Sequence, residues 1–343
     1  MTPSMTAAAH PNLALVKYWG RRDPALNLPA NGSIAVNLSG GRTVTRVSFD
    51  ATLSDDVVII NGREADPDSY ERVVDHLDRI RVMARVPLRA KVDSRNDFPM
   101  HVGVASSSSA FAALSLAATR ALGLELGPRN LSILARKGSG SACRSIPDGF
   151  AEWHAGESDA TSFAESLAPA DHWSLRVVTV TFKGARKHVS SLRGHRAAQS
   201  SPFYHARLAQ LPETLRAVRS AILSRDFAAL GMHVEREAMS MHCVAMTSRI
   251  AGQPRLSGLY YWRPETMQLI RLVQRWRRDG LAVYLTMDAG SSVHLLVEID
   301  ALGALQRKLE LVSGSSAWGT MVSRPARGAW VIPPGEAAGH LGA

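Results

Sequence analysis

A cluster of serines stands directly before an Ala/Leu-rich run, a pattern that suits anion binding at the start of a helix. The cluster comprises Gly103, Val104, Ala105, Ser106 and Ser107, followed by Ser108 and Ser109. Glycine lets the backbone approach a ligand closely, and the unpaired N–H groups of a first helical turn attract phosphate. No Gly-Lys-Ser/Thr follows, so this is not a Walker-type loop, and such serines also cap helices for structural reasons alone.

A second run of small residues contains an arginine. Ser139, Gly140 and Ser141 are followed by Arg144. Flexible small residues beside an arginine form a cradle for an oxyanion, because the guanidinium binds a carboxylate or phosphate with two parallel hydrogen bonds. An ordinary turn between two helices, with the arginine at the surface, is an equally good interpretation of this segment alone.

An aspartate, Asp288, follows a predicted strand over 282–287 and precedes the turn residue Gly290. An aspartate at a strand end is placed to face a cleft and to act on a hydroxyl group. Aspartate also caps turns, so the catalytic interpretation needs further support.

A lysine lies on the apolar side of the predicted N-terminal strand. Leu13, Leu15 and Lys17 share one side of that strand, whereas Asn12 has the opposite parity. A lysine in such a position either reaches water at its tip or meets a buried anion. An unbroken strand would not direct Asn12 and Lys17 at the same ligand.

The elements that must position these residues follow a mixed pattern of two lobes, typical of an α+β protein. A polar, irregular stretch over 195–202 marks the predicted boundary, giving domains 1–190 and 191–332 and a frayed tail over 333–343. The predicted strands are 43–49, 57–60, 88–92, 175–182, 282–287 and 293–299, with a loop over 93–100. The predicted helices are 70–85, 110–122 (beginning in the serine cluster), 131–137, 213–224, 227–241, 264–278 and 302–312.

Composition restricts the class of protein. The chain has 343 residues, 45% hydrophobic and 20% charged, as expected of a globular protein with a large core. Two cysteines without metal-type spacing argue against a disulfide framework or a zinc site, and no resident metal site is predicted. The absence of a long apolar run or an N-terminal signal pattern predicts a cytoplasmic protein that does not enter a membrane.

The net charge of +10 is compatible with an anionic small substrate or with a nucleic acid. The arginines are scattered and form no basic stripe with interleaved aromatic residues, which favours the small substrate. A basic nucleic-acid-binding protein remains the distant alternative.

Taken together and in order, the motifs resemble those of the diphosphomevalonate decarboxylase family, a branch of the GHMP kinase superfamily. The resemblance extends through most of the chain. The matching segments are PNLALVKYWGRRD (11–23), LPANGSIAVNL (28–38), NDFPMHVGVASSSSAFAAL (96–114), RKGSGSACRSIPDGFAEW (136–153), SPFY (201–204), MH (241–242) and YLTMDAGSSV (284–293).

The resemblance implies a two-lobed GHMP-kinase-like fold with the active-site cleft between the lobes. It also implies a reaction in which ATP, accompanied by Mg²⁺, phosphorylates the C3 hydroxyl of a phosphorylated mevalonate. Phosphate and CO2 then leave, and the product carries an isopentenyl double bond. A homodimer is expected on the same ground.

The resemblance further implies roles for individual residues. Asp288 corresponds to the catalytic aspartate, Arg144 to the arginine that holds the substrate carboxylate, and Lys17 and Asn12 to residues of the same centre. The implied ATP-binding residues are Asn96, Gly103, Val104, Ala105, Ser106 and Ser107. The implied contacts to the substrate are Tyr18, Arg21, Ser139, Gly140, Ser141, Arg144 and Arg193.

Departures from the family pattern concern the phosphate tail of the substrate more than the Asp/Arg pair. Arg21 replaces a lysine, Leu192 occupies the position of an arginine that holds the diphosphate, and His195 stands where methionine is common. The change at Leu192 makes 5-phosphomevalonate an alternative substrate, which would give isopentenyl phosphate. A kinase that stops at the C3 phosphate is a further alternative.

Overall fold

The computed structural model describes residues 3–98, 106–182, 191–251, 258–313, 318–333 and 335–336. The strands are β1 (Ser4–Ala9), β2 (Asn12–Val16), β3 (Arg21–Asp23), β4 (Leu28–Pro29), β5 (Ser33–Asn37), β6 (Thr43–Asp50), β7 (Val57–Ile60), β8 (Arg63–Glu64), β9 (Arg89–Asn96), β10 (Phe150–Trp153), β11 (Ala164–Ala168), β12 (Leu175–Phe182), β13 (Tyr284–Thr286), β14 (Val293–Glu298), β15 (Trp318–Ser323) and β16 (Trp330–Ile332). The helices are α1 (Pro67–Ala84), α2 (Ser106–Ala121), α3 (Pro128–Gly138), α4 (Ser191–Ala197), α5 (Tyr204–Ser224), α6 (Phe227–Thr247), α7 (Pro264–Arg278) and α8 (Ile299–Ser313), with 3-10 turns over Gly140–Ser145 and Ala198–Ser200.

Three principal sheets organise the chain. The first has six strands in the order β16-β1-β6-β9-β7-β8, the second has the order β11-β10-β5-β2, and the third has the order β13-β14-β12-β15. Strands β3 and β4 form a separate small hairpin. Because β16 pairs with β1, the end of the chain returns to the sheet in which it began.

The first core forms where α2 packs on the first sheet. Its buried alanines, among them Ala112, Ala113 and Ala117, have no exposed surface and let the helix approach the strands closely. Val47 and Phe49 of β6 and Leu77 of α1 complete this layer. Close packing fixes the start of α2, and therefore its serines, relative to the sheet.

Two further cores lie beyond the first. Helices α5 and α6 pack their apolar sides on β2, β5 and β12, through residues such as Val218, Leu230 and Leu13. Helices α7 and α8 pack on the third sheet, where Leu269 and Leu305 are buried. Helix α6 also contacts β13, so it joins the second sheet to the third.

Much of the predicted pattern is confirmed. Strands 57–60 and 175–182 and helix 264–278 have the predicted bounds, and the helix beginning in the serine cluster starts at Ser106. As a separate finding, none of the helices in the described part of the chain combines the length and the hydropathy of a membrane-spanning segment.

Several boundaries were predicted wrongly, each for a local reason. Helix α5 begins at Tyr204 rather than at 213. The prediction was wrong because α5 contains Pro212 in its interior, whereas proline is typical of the first turn of a helix. The loop predicted from residue 93 is strand as far as Asn96, since β9 pairs with β6 over its whole length. The stretch 195–202 is mostly helical, formed by the end of α4 and a 3-10 turn. Strand β13 is shorter than predicted, and α6 continues to Thr247.

Strand β12 pairs with strands from the other side of the predicted domain boundary. Division at 190/191 assigns β12 to the first domain, whereas β12 pairs with β14 and β15 in the third sheet. Likewise β16, assigned to the second domain, pairs with β1.

The contact between α6 and β13 depends on Gly231. A Cβ atom at Gly231 would lie 2.0 Å from the ring of the buried Tyr284. We expect Gly231→Ala to lower the free energy of unfolding by about 1–3 kcal/mol, through overpacking, in urea titrations. Gly303→Ala is the matched control, because Gly303 is exposed in α8 and its nearest neighbour is a flexible arginine tip. It should leave stability unchanged or raise it by up to about 1 kcal/mol, since alanine is the better helix former. Equal stability of the two variants would contradict the packing argument.

Candidate active site

The centre of the site is an ion pair between two lobes of the chain. Lys17 follows β2 in the second sheet, and Asp288 follows β13 in the third. Lys17 Nζ donates to Asp288 Oδ1 at 2.7 Å and to the carbonyl oxygen of Ala14 at 2.6 Å. The lysine side chain is 3% exposed and the aspartate side chain 23% exposed, so only the carboxylate faces open space.

A register shift explains how Asn12 and Lys17 serve one site. The pairing of β2 with β5 shifts between Ala14 and Val16, which inserts one residue into β2. Such a bulge reverses the side to which the following residues point. The opposite parity of Asn12 and Lys17 holds only for an unbroken strand, and the bulge removes that condition.

Arg144 lies in the 3-10 turn after α3 and is 4% exposed. Its Nε donates to Asn12 Oδ1 at 3.2 Å, and its Nη1 donates to Ser33 Oγ. Burial lowers the pKa of Arg144, and Asp288 acts in the opposite direction. Among the described residues Arg144 forms hydrogen bonds to neutral groups and no salt bridge with a carboxylate. A buried arginine in this state is suited to an incoming carboxylate.

The charge state of the site follows from its surroundings. Burial raises the pKa of Asp288. Lys17, His294 and Arg144 lower this pKa by a larger amount, so the net shift is downward. Burial lowers the pKa of His242 to about 3 and that of His294 to about 4. At neutral pH the site therefore holds an ionised Asp288 beside uncharged histidines.

The residues predicted to hold the phosphate tail are brought together at one end of the site. Arg21 Nε donates to the Tyr18 hydroxyl at 2.9 Å. A Cβ atom on Gly140 would lie 2.8 Å from the Tyr18 ring, so only glycine allows this approach. The Ser141 carbonyl accepts from Asn12 Nδ2 at 3.0 Å, which connects this end to Arg144.

Arg72 of α1 belongs to the same end and was not predicted. Its Nη2 donates to the carbonyl oxygen of Gly138 at 3.3 Å, and its guanidinium lies over the Phe111 ring. Its pKa is lowered by partial desolvation and then by the positive charge of Arg21. Two neighbouring cations suit a multiply charged anion. A single exposed arginine on an amphipathic helix gives no signal in the sequence.

The first turn of α2 faces the same cleft from the first lobe. Ser106 and Ser107 begin α2, and Ser107 Oγ accepts from Ser139 Oγ at 3.3 Å. Asn96 connects to this turn through Thr43, whose hydroxyl donates to Asn96 Oδ1 at 2.6 Å and lies 2.7 Å from Ser109 Oγ. Gly103, Val104 and Ala105 lie outside the described residues.

Helix α4 docks on the turn that carries Tyr18. His195 is buried, its Nδ1 accepts from the Gly20 N–H at 3.0 Å, and its ring centroid lies 4.1 Å from that of Tyr18. Leu192 and Arg193 are exposed on the same helix. The assignment of Arg193 to the substrate stays a prediction.

The two-lobed α+β fold, with a serine-rich helix start and a charged cleft, defines a protein of the GHMP kinase class. Family comparison narrows this class. Residues 9–164 match the diphosphomevalonate decarboxylase-like N-terminal domain, and residues 177–326 match the mevalonate 5-diphosphate decarboxylase C-terminal domain. The chain belongs to the diphosphomevalonate decarboxylase family.

Individual relatives agree with this assignment. The diphosphomevalonate decarboxylase of Aspergillus fumigatus is 33% identical, over 90% of this chain and 79% of the relative. The phosphomevalonate decarboxylase of Haloferax volcanii is 31% identical, over 84% of this chain and 87% of the relative. A solved structure of MDDEF in complex with MVAPP, AMPPCP and magnesium is 38% identical, with a TM-score of 0.88, and covers 97% of this chain and 99% of its own.

Lys17 should control the ionisation of Asp288. Burial raises the pKa of Asp288, and the positive charge of Lys17 is the strongest effect that lowers it. Lys17→Met removes this charge, so the pKa of Asp288 should rise. The shift can be followed by NMR titration of aspartate labelled at the carboxyl carbon, with Asp288→Asn assigning the signal. Lys137→Met is the control, because Lys137 pairs with Asp159 instead. An unchanged Asp288 titration in Lys17→Met would show that the ion pair does not set its charge.

Proposed function

We propose that this chain catalyses the ATP-dependent decarboxylation of (R)-5-diphosphomevalonate to isopentenyl diphosphate, ADP, phosphate and CO2. The observation that carries the proposal is the Lys17–Asp288 pair beside Arg144, a buried arginine that binds only neutral groups among the described residues. A hydroxyl-activating carboxylate beside a carboxylate-binding arginine matches a substrate that carries both functional groups. Decarboxylation needs both the hydroxyl-activating carboxylate and the carboxylate-binding arginine, whereas phosphorylation alone needs only the carboxylate.

Each residue has a defined task in this proposal. Asp288, kept ionised by Lys17, orients the C3 hydroxyl and accepts its proton while the phosphoryl group is transferred. Arg144 holds the substrate carboxylate in a fixed orientation. When the C3 phosphate leaves, positive charge develops at C3, and the electrons of the carboxylate's C–C bond form the double bond as CO2 departs. Tyr18, Arg21 and Ser141 hold the phosphate tail.

The residues of the cleft fit ATP and Mg²⁺. The first turn of α2 offers its N–H groups and the hydroxyls of Ser106 and Ser107 to phosphate oxygens. Among the described residues there is no cluster of three or more metal-binding side chains. A magnesium ion that arrives on nucleotide phosphates does not need one, because phosphate and water oxygens supply most of its ligands. Bound Mg²⁺ neutralises phosphate charge.

The same proposal includes a cytoplasmic location and a homodimer, both supported by family membership. Light scattering coupled to size-exclusion chromatography measures the mass in solution. A mass of one chain at micromolar concentration would exclude the dimer.

A second substrate is favoured by one feature of α4. The resemblance to the family pattern implies that Leu192 occupies the position of a diphosphate-binding arginine. Leu192 lies on α4, whose His195 ring packs on Tyr18. One of the family relatives above is a phosphomevalonate decarboxylase. The loss of one cation from the tail site supports (R)-5-phosphomevalonate, with isopentenyl phosphate as the product.

The experiment that tests the proposal measures ADP and CO2 together. The protein should release both in equal amounts with a phosphorylated mevalonate, and Asp288→Ala should lower kcat by roughly 100-fold or more, as for loss of a general base. Arg144→Met should raise KM as well, because the carboxylate loses its partner. Asp171→Ala, an exposed aspartate in a turn, is the control. ADP without CO2 would indicate a C3 kinase, and salt-sensitive RNA binding without ATP affinity would indicate the nucleic-acid alternative.

The role of Leu192 can be tested by restoring the cation. Leu192→Arg should raise kcat/KM for the diphosphate relative to the monophosphate by about 10- to 100-fold, because a charge-assisted hydrogen bond contributes about 1.5–3 kcal/mol. Gln199→Arg adds the same charge at an exposed position beyond α4 and should leave the ratio unchanged. A ratio that moves equally in both variants would assign the effect to overall charge.

A further inference from the structure

The backbone of Lys17 is held on both sides by a buried ion pair. Its N–H donates to Glu237 Oε2 at 3.1 Å, and its carbonyl oxygen accepts from Arg207 Nη2 at 2.9 Å. Arg207 Nη2 also donates to Glu237 Oε1, which closes the arrangement. We call Arg207 and Glu237 together the Lys17 clamp.

The clamp is deeply buried, with relative exposures of 3% for Arg207 and 4% for Glu237. Burial raises the pKa of Glu237, and the positive charges of Arg207 and Lys17 act against this. A buried ion pair gives little net stability compared with apolar residues of the same volume. Stability alone therefore explains this pair poorly, and its contacts with one catalytic residue suggest a positioning task.

Helix α6 holds both members of the catalytic ion pair. It carries Glu237, which binds the backbone of Lys17, and Glu235, which accepts from the Leu285 N–H of β13 at 3.2 Å. Strand β13 leads directly to Asp288. One rigid helix thus sets the position of the lysine and of the strand that carries its partner.

Lys17 lies in the connection after β2, outside the paired part of the strand, and therefore depends on the clamp for its position. Lys17 stands just beyond the register shift and past the last residue of β2, where sheet pairing no longer fixes its backbone. Asn31 Nδ2 adds one further bond to the Lys17 carbonyl oxygen, at 2.9 Å. The clamp supplies the charged contacts that replace the sheet.

We propose that Arg207 and Glu237 are positioning residues that hold the Lys17 ammonium group against Asp288 in the catalytic geometry. This inference rests on the proposed function, since it assigns a task in the same reaction. Neither residue touches the cleft through its described hydrogen bonds. Both act through the backbone of Lys17.

A cavity of about 120 Å³ between α5 and α6 makes the inference unusually testable. It is lined by both clamp residues and by polar side chains such as Gln210, Thr214 and Ser240. Arg207 Nε and Nη1 are buried and have no hydrogen-bond partner among the described residues. Truncation of Arg207 would leave a space that joins this cavity and has room for a guanidinium ion.

The test is Arg207→Ala with chemical rescue. We expect kcat to fall about 10- to 100-fold, because a catalytic group displaced by about 1 Å costs roughly that much. KM for ATP and for the mevalonate substrate should change less than about threefold. Millimolar guanidinium chloride should restore a large part of kcat. Arg219→Ala is the matched control, since Arg219 lies on the same helix and pairs with Glu152, with Nε donating to Oε2 at 2.7 Å. It should show neither the loss nor the rescue.

Further variants separate a positioning role from a folding role. Glu237→Gln keeps an oxygen for the Lys17 N–H and should lose less kcat than Glu237→Ala. In a Lys17→Met background, Arg207→Ala should cause little additional loss, because the group it positions is absent. If Arg207→Ala does not fold, Arg207→Lys replaces it and should show an intermediate kcat. Full additivity of the two substitutions, or normal kcat in a folded Arg207 variant, would overturn the inference.

A readout other than activity keeps this inference distinct from the proposed function. Arg207→Ala should raise the pKa of Asp288 in the same direction as Lys17→Met, measured by the aspartate NMR titration. If the wild-type protein releases no CO2, the proposed function fails, whereas the NMR shift still reports on the clamp. An unchanged Asp288 titration in Arg207→Ala would refute the clamp even in an active enzyme.

Discussion

The ion pair between Lys17 and Asp288 is the interaction around which the rest of the structure is arranged. Its members are 271 positions apart and come from different sheets, so the pair forms only when both lobes are folded and packed together. A lysine that is 3% exposed needs an anion nearby, because an isolated buried ammonium is strongly disfavoured. The same contact keeps the carboxylate charged. Assembly of the lobes and ionisation of Asp288 are therefore one event.

Two buried arginines near this ion pair differ in their hydrogen-bond partners. Arg144 is held by the neutral oxygens of Asn12 and Ser33, which leaves its charge available. The pair of Arg207 and Glu237, by contrast, is neutralised internally and binds backbone. In the proposals made above, Arg144 binds a ligand and Arg207 positions backbone, although both side chains are buried. The difference lies in their partners, since their exposures are nearly equal.

The sequence predicted local elements well and long-range geometry poorly. Periodicity predicted the bounds of α7 and β12 because their apolar residues recur at regular intervals. The first turns of α5 were missed because Pro212 lies inside this helix. Motif order predicted, by resemblance, that Asp288, Arg144 and Lys17 form one site, since spacing alone left the role of each residue open. The bulge in β2 was invisible, because inserting one residue changes no residue type. The contact of Lys17 with Glu237 spans 220 positions and leaves no local signal.

The pairing of β16 with β1 has a consequence for the protein during its synthesis on the ribosome. Residues near Thr6 leave the ribosome long before their partners near Ile332 are made. During that interval one border of the first sheet offers unpaired backbone groups, which are ready to join other extended chains. Closure of so distant a contact is entropically slow. The nascent polypeptide therefore exposes an aggregation-prone sheet edge until β16 has been synthesised, and molecular chaperones are most useful during that interval.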